Sequence, residues 1–468
     1  MGEEGWGGEG PGPEGRSVKA DRFLRALIHL ILKVFFRRVE VVGAGNVPQG
    51  RPLVVVANHV NGLVDPILVL GSLGIFPLPR LLAKSTLWKN PAVRPWLELA
   101  GVIPVYRRQD EGVDTSRNSE TFAKSHELLG SGGSLALFPE GTSHSDPALK
   151  PLKTGAARMA LEAERKFPGL EVRILPVGLL FSAKGRFRSR ALVQVGEPID
   201  PAPEVAMDAA DPFEAARSLT ARVDAALKEV TLNYASWDEA ELIARAADLW
   251  GRRTTEVPMG RTLAETFAVR RAFLEGAEDL RERYPDRVAA VAESVRAYDQ
   301  LLDALNLRDD QVAAAYRPSP VARFVLDTLV RLFIHLPLAL VGVVLNWPLY
   351  RLVGLIANGI TRRSPDQTAT FKVFGAVVLF PLTWIAEALL VGNYTEPWLG
   401  ALTLLAAPAT GYSALLFNET RARFWREARA YLVLRTRTRL AAELKARREA
   451  VLQEVESLAA LYNAETRG

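Results

Sequence analysis

In the segment VVVANHVNGLVDPILVL, residues 54–70, His59 and Asp65 stand with five residues between them. An imidazole can take a proton from a hydroxyl near neutral pH, and a carboxylate on its other ring nitrogen fixes the tautomer and steadies the imidazolium that forms. This is the logic of a hydrolase triad without its serine, so the nucleophile would be a hydroxyl of the substrate. The apolar run at 52–58 reads as a buried strand ending at Asn58, which leaves His59 on a loop. Asp65 before Pro66 suits a helix N-cap followed by the first helical residue. On spacing alone, however, a loop histidine and a capping aspartate would look the same.

Other polar residues follow later apolar runs. Arg107 and Arg108 close GVIPVYRR, Glu140, Gly141 and Thr142 lie in LALFPEGTSH, and Pro176 lies within ILPVGLLF. Arginine forks and backbone N–H groups at turns hold phosphate dianions, and a glycine such as Gly141 lets the backbone come close. Lys153, Lys184, Arg186, Arg188 and Arg190 are further candidates to hold a phosphate, although most surface cations are merely solvated. His144 and Asp146 read as polar loop residues. The glycine-rich LGSGGS at 129–134 lacks the Gly-Lys-Ser/Thr ending of a nucleotide-binding loop and reads as a turn.

The elements that must position these residues are legible from the pattern. Short β-rich runs at 52–58, 102–106, 134–139, 172–180 and 191–196 alternate with helical stretches, which indicates an α/β domain over 39–235, a mixed sheet flanked by helices with functional loops where strands end. Before it, residues 1–20 are rich in Gly, Pro and Glu and read as a disordered leader, and 21–38 as a basic amphipathic helix suited to a membrane surface or a core face. Residues 236–317 read as a charged helical region without catalytic features.

Residues 318–418 read as a membrane region with apolar stretches at 336–358, 373–392 and 398–418. The last two are long enough for a bilayer core of about 30 Å. Pro337, Asn346, Pro348 and Arg351 interrupt the first, and a central arginine costs about 2.5–3.5 kcal/mol in a bilayer. With basic residues before the second stretch and after the third, the last two form a hairpin and 336–358 is expected to be re-entrant or interfacial. The tail, 419–468, is basic and helical, fitting an anionic lipid surface, self-association or solvent.

The 468 residues carry no cysteine, five histidines and a net charge of +5, which excludes thiolate nucleophiles and disulfides and disfavours a zinc site. No nucleic-acid recognition motif accompanies the charge.

Four blocks in this order, around Asn58-His59-Asp65, Arg107, Phe138-Pro139-Glu140-Gly141 and Pro176, resemble the glycerolipid acyltransferase family over residues 20–235. The resemblance implies His59 as base, Asp65 as its orienting partner, Arg107 as a phosphate ligand, Glu140 and Gly141 at the acceptor site, and Pro176 shaping its floor; Thr142 and Lys153 are further candidates to bind the substrate. It departs in one respect, the five-residue gap between His59 and Asp65 where four is usual. A fungal and bacterial branch acylating glycerol 3-phosphate or dihydroxyacetone phosphate shares that gap and looks like this chain at NHVNGLVDP, FPEGTSH, LKTGAARMAL and KGRFRSRALVQVGEPI.

The expectation is therefore a membrane-bound O-acyltransferase of phospholipid biosynthesis, taking its acyl group from acyl-CoA or acyl-carrier protein, with no cofactor and no metal. A lysophosphatidic acid acyltransferase and a non-catalytic lipid-binding scaffold are the alternatives. An integral protein of the cell membrane, with its catalytic domain on the cytoplasmic face, no nucleic-acid partner and possible homo-oligomers, completes the expectation.

Overall fold

The computed structural model describes residues 16–91, 93–107, 110, 114–253, 262–314, 318–360 and 368–466. The chain divides into two units, the first made of residues 1–233 with 363–373, the second of 234–362 with 374–468.

In the first unit, α1 (Val18–Phe35) leads directly into β1 (Phe36–Val42). There follow β2 (Leu53–Ala57), α2 (Val64–Ser72), β3 (Arg80–Lys84), α3 (Arg94–Leu99), β4 (Ile103–Val105), α4 (Asn118–Gly130) and β5 (Leu135–Leu137). Next come α5 (Gly155–Lys166), β6 (Arg173–Phe181), β7 (Ser189–Val195), α6 (Ala202–Asp208) and α7 (Pro212–Val230). The strands form one mixed sheet in the order β1-β7-β6-β2-β5-β3-β4, with only β6 and β7 antiparallel. Val54 and Val56 of β2 pack with Leu129, Leu161, Leu219 and Leu227 from α4, α5 and α7 in one core cluster. Burying each such aliphatic side chain contributes about 1.5–3 kcal/mol. Because β2 and β5 are parallel neighbours, the loops leaving their C-terminal ends emerge side by side.

Two strands were not legible in the sequence. The helix expected over 21–38 stops at Phe35, and Phe36, Arg37 and Arg38 already belong to β1, which pairs with β7. β3 is short and flanked by charge, and it is held between β4 and β5. α1 buries Leu24, Ile28, Leu32 and Phe35, a stripe at helical spacing, with Leu32 and Ile28 against Gly71 of α2. Its other side exposes Phe23, Leu30 and Val34.

The second unit is helical: α8 (Trp237–Arg253), α9 (Leu263–Arg283), α10 (Pro285–Leu305), α11 (Asp309–Ala313), α12 (Pro318–Ile360), α13 (Thr368–Tyr394, whose first residues belong to the first unit), α14 (Pro397–Thr436) and α15 (Thr438–Thr466). Leu444 and Leu452 of α15 share a core with Leu249 of α8 and Val295 and Leu302 of α10. Arg448 of α15 pairs with Asp309 of α11. The basic tail is thus built into the same core as the helical region rather than standing apart from it.

The dip and return expected as one form of 336–358 has no counterpart, because α12 is a single helix that carries Pro337 and Pro348 inside it. α12, α13 and α14 are each long and apolar enough to cross a membrane, by length and composition. Large apolar side chains such as Phe333, Leu389 and Leu405 are exposed on them. Asn346, awkward in an apolar stretch, is satisfied inside the unit: it donates to the carbonyls of Gly342 and Ala407 and accepts from the Trp384 indole.

Candidate active site

His59 and Asp65 meet. The ring Nδ1 lies 2.9 Å from Asp65 Oδ2, and the same oxygen accepts the backbone N–H groups of Val60 and Asn61 at 2.7 Å each. Asp65 is fully buried, so its charge is held by these donors rather than by water. It is not the helix N-cap that its position before Pro66 implied. α2 begins two residues earlier, at Val64, with Leu63 as a cap lacking a side-chain hydrogen bond, and the Asp65 carboxylate instead reaches back to close the loop. The five-residue gap is accommodated by Gly62, whose φ of 48° lies in the left-handed region. The preceding Asn58 fixes the strand end, donating to the carbonyl of Leu179 and accepting its N–H.

Glu140 arrives from the neighbouring loop after β5. Its Oε1 accepts the His59 N–H at 2.7 Å, and its Oε2 accepts the Lys150 N–H at 2.9 Å and bonds the His144 ring. His144 in turn donates its backbone N–H to the His59 carbonyl. The imidazole of His59 stacks on Phe138, with centroids 4.2 Å apart. The backbone and one ring nitrogen of His59 are therefore committed, and Nε2 has no hydrogen-bond partner among the described residues. That free nitrogen on a part-exposed ring is what a base requires.

These contacts revise the expected roles. Glu140 is only 3% exposed and both of its oxygens are occupied, so it braces His59 instead of meeting an acceptor. His144 is no passive loop residue. Its Nδ1 accepts the Asp146 N–H at 3.1 Å, which puts the proton on Nε2, facing Glu140. With both nitrogens engaged, it is unavailable as the base. Phenylalanine at position 144 would leave Glu140 short of a donor inside the fold, and removing one partner of a buried pair costs about 1–3 kcal/mol. A His144→Phe chain is expected to melt earlier and to lose about tenfold in turnover by misplacing His59. Wild-type melting and turnover would show that the brace is dispensable.

Arg107 points at the same loops. It donates through Nη1 to the Gly141 carbonyl at 2.7 Å, while Nε and Nη2 fork onto Asp110 at 3.0 and 2.7 Å. Hydrogen bonds from Arg107, aided by the fields of Lys84 and Lys89 and opposed by burial, hold the Asp110 carboxyl below its ordinary range. A carboxylate thus occupies the fork that was expected to face a phosphate. Gly141 has φ 74°, and a Cβ there would meet Lys153 Cε at 2.9 Å, so the exposed Lys153 runs along this turn. The Thr142 hydroxyl bonds the Ser143 carbonyl. Pro176 lies inside β6 opposite Val56, buried in the sheet below the loops. Arg108 falls outside the described residues. Among the described residues no group of histidine and carboxylate side chains is arranged to hold a metal ion.

Two family models match the chain. The family described as Acyltransferase matches residues 38–180, and the Glycerol-3-phosphate acyltransferase 2 C-terminal domain matches residues 252–466. Glycerol-3-phosphate O-acyltransferase 2 of Saccharomyces cerevisiae is 28% identical over 64% of this chain and 42% of its own length. Glycerol-3-phosphate O-acyltransferase 1 of the same yeast is 24% identical over 80% of this chain and 61% of its own. The human 1-acyl-sn-glycerol-3-phosphate acyltransferase alpha is 33% identical over 32% of this chain and 50% of its own length. The chain thus spans about two fifths to three fifths of the yeast proteins. The second match takes in most of the helical region, the apolar helices and the tail as one domain, and α10, α14 and α15 within it share a core.

Proposed function

We propose, from the premise that this chain joins an acyltransferase domain to a C-terminal domain of the glycerol-3-phosphate acyltransferase 2 type, that it is a membrane-bound O-acyltransferase of phospholipid biosynthesis. It moves a fatty acyl group from acyl-CoA or acyl-carrier protein to glycerol 3-phosphate or dihydroxyacetone phosphate. The observation that carries the reading is the His59 ring, held by Asp65 and braced through its backbone by Glu140, with Nε2 left free.

His59 Nε2 accepts the proton of the acceptor hydroxyl as its oxygen attacks the thioester carbonyl. Asp65, on Nδ1, stabilises the imidazolium in a site where the two charges are poorly screened. When the C–S bond breaks, the imidazolium returns the proton to the thiolate and the ester is complete. The N–H groups of His59, Val60 and Asn61 are taken by carboxylates, so donors to the oxyanion come from elsewhere in the site. The acceptor phosphate displaces Asp110 from the Arg107 fork, drawn by Lys84 and Lys89, with Lys153 beside the Gly141 turn as a further cation. A buried acyl chain contributes about 0.8 kcal/mol per CH₂, which favours a donor presented at the membrane. The catalytic unit faces the cytoplasm, where acyl thioesters are made.

The acceptor is tested by offering glycerol 3-phosphate, dihydroxyacetone phosphate and lysophosphatidic acid in competition for one labelled acyl-CoA. Label is expected chiefly in the single-chain product of one of the first two. Label chiefly in phosphatidic acid would transfer the assignment to the second acylation step, and binding of acceptors without turnover would favour a lipid-binding scaffold.

A further inference from the structure

The loop that carries His59 spends its backbone donors in a traceable way. The N–H of His59 goes to Glu140, those of Val60 and Asn61 to Asp65, and that of Val64 to the Asn61 carbonyl. The Leu63 N–H, at the N-cap of α2, goes to none of these acceptors. It donates instead, at 2.8 Å, to the hydroxyl of Thr370, 307 positions further along the chain. A helix start needs such acceptors, and here the acceptor is supplied from the beginning of α13.

A second tie runs beside the first. Lys372 Nζ donates to the Gly185 carbonyl at 3.2 Å, and Asn61 Nδ2 donates to the adjacent Lys184 carbonyl at 2.9 Å. The turn after β6 is therefore gripped from one side by the His59 loop and from the other by the segment that grips that loop. Residues 363–373 group with the first unit although the acyltransferase match ends at residue 180.

We infer that Thr370 and Lys372 are positioning residues for acyl transfer: the start of α13 caps the His59–Asp65 loop and fixes the 184–185 turn, so the catalytic pair is held in register by residues from the C-terminal half of the chain. The inference rests on the acyl-transfer reading above. It acts through geometry alone, and misplacing a reacting group by about 1 Å can cost on the order of 10²-fold in rate.

The test uses the full chain in membranes. Thr370→Val, which keeps the shape and removes the acceptor, is expected to lower kcat by about 10- to 100-fold while KM for either substrate moves less than about threefold. Thr370→Ser, which restores the hydroxyl, is expected to recover most of the rate, and Lys372→Met to fall between the two. Wild-type kcat in Thr370→Val, or equal impairment in Thr370→Ser, would overturn the inference. Because the chain has no cysteine, a Leu63→Cys, Thr370→Cys pair can be joined unambiguously by a short bifunctional thiol reagent. Cross-linking is expected, and its absence would overturn the inference without any assay of turnover. Cross-linking in the Leu63→Cys, Thr370→Cys chain, together with no acyl transfer by the unsubstituted chain, would count against the acyl-transfer reading alone.

Discussion

A His59→Ala chain is expected to lose about 10²–10⁴-fold in kcat for acyl transfer while remaining folded and membrane-associated. The size follows from what the ring does. Without a base, the acceptor hydroxyl must attack as a neutral alcohol, and the departing thiolate has no acid poised to protonate it. Folding is expected to survive because the contacts that hold this loop are made by the His59 backbone, to Glu140 and to the His144 N–H, and these persist when the ring is removed. The loss should therefore fall on kcat, with KM for the acyl donor nearly unchanged. Purified variant and wild type, matched for melting temperature, give the measurement.

An Asp65→Asn chain is expected to lose on the order of 10³–10⁴-fold, more than a simple weakening of one hydrogen bond would give. Oδ2 serves three donors at once, while Oδ1 is buried with no hydrogen-bond partner. If the amide places its carbonyl toward Val60 and Asn61, its NH₂ enters the buried spot now held by Oδ1, an unsatisfied donor costing about 1–3 kcal/mol. If it turns over, the NH₂ confronts the two backbone N–H groups and the imidazole, and the loop opens. Either way no negative charge remains to stabilise the imidazolium. A kcat within about threefold of wild type would show that the carboxylate acts only as a structural closure.

Much of the site was legible because its signals are local. The apolar runs flanked by turn residues became β2, β4, β5, β6 and β7, and the parallel pairing of β2 with β5 is what brings the loops after them together. β1 was hidden because FRRVEVV continues the apolar-basic alternation of α1, and the change of period from helix to strand falls inside a run of Phe and Arg. The actual partners of each side chain were less accessible. Glu140 looked like a group that meets the acceptor, yet it is bonded to His59, His144 and Lys150. His144 gave no sequence signal beyond its place four residues after Glu140. Thr370 gave none, since a hydroxyl 307 positions away becomes a cap only once the chain has folded. Arg107 was expected as a phosphate ligand, and its present carboxylate partner, Asp110, could not be foreseen from composition.

The central claim is that the imidazole of His59 is the base, and removing the ring while supplying its chemistry from solution tests it most directly. A His59→Gly chain is expected to transfer acyl groups at background rate, and added imidazole, entering the space left by the ring beside Asp65 and Phe138, is expected to raise that rate with saturation. A His59→Gly chain that turns over at the wild-type rate with no imidazole present would contradict the account.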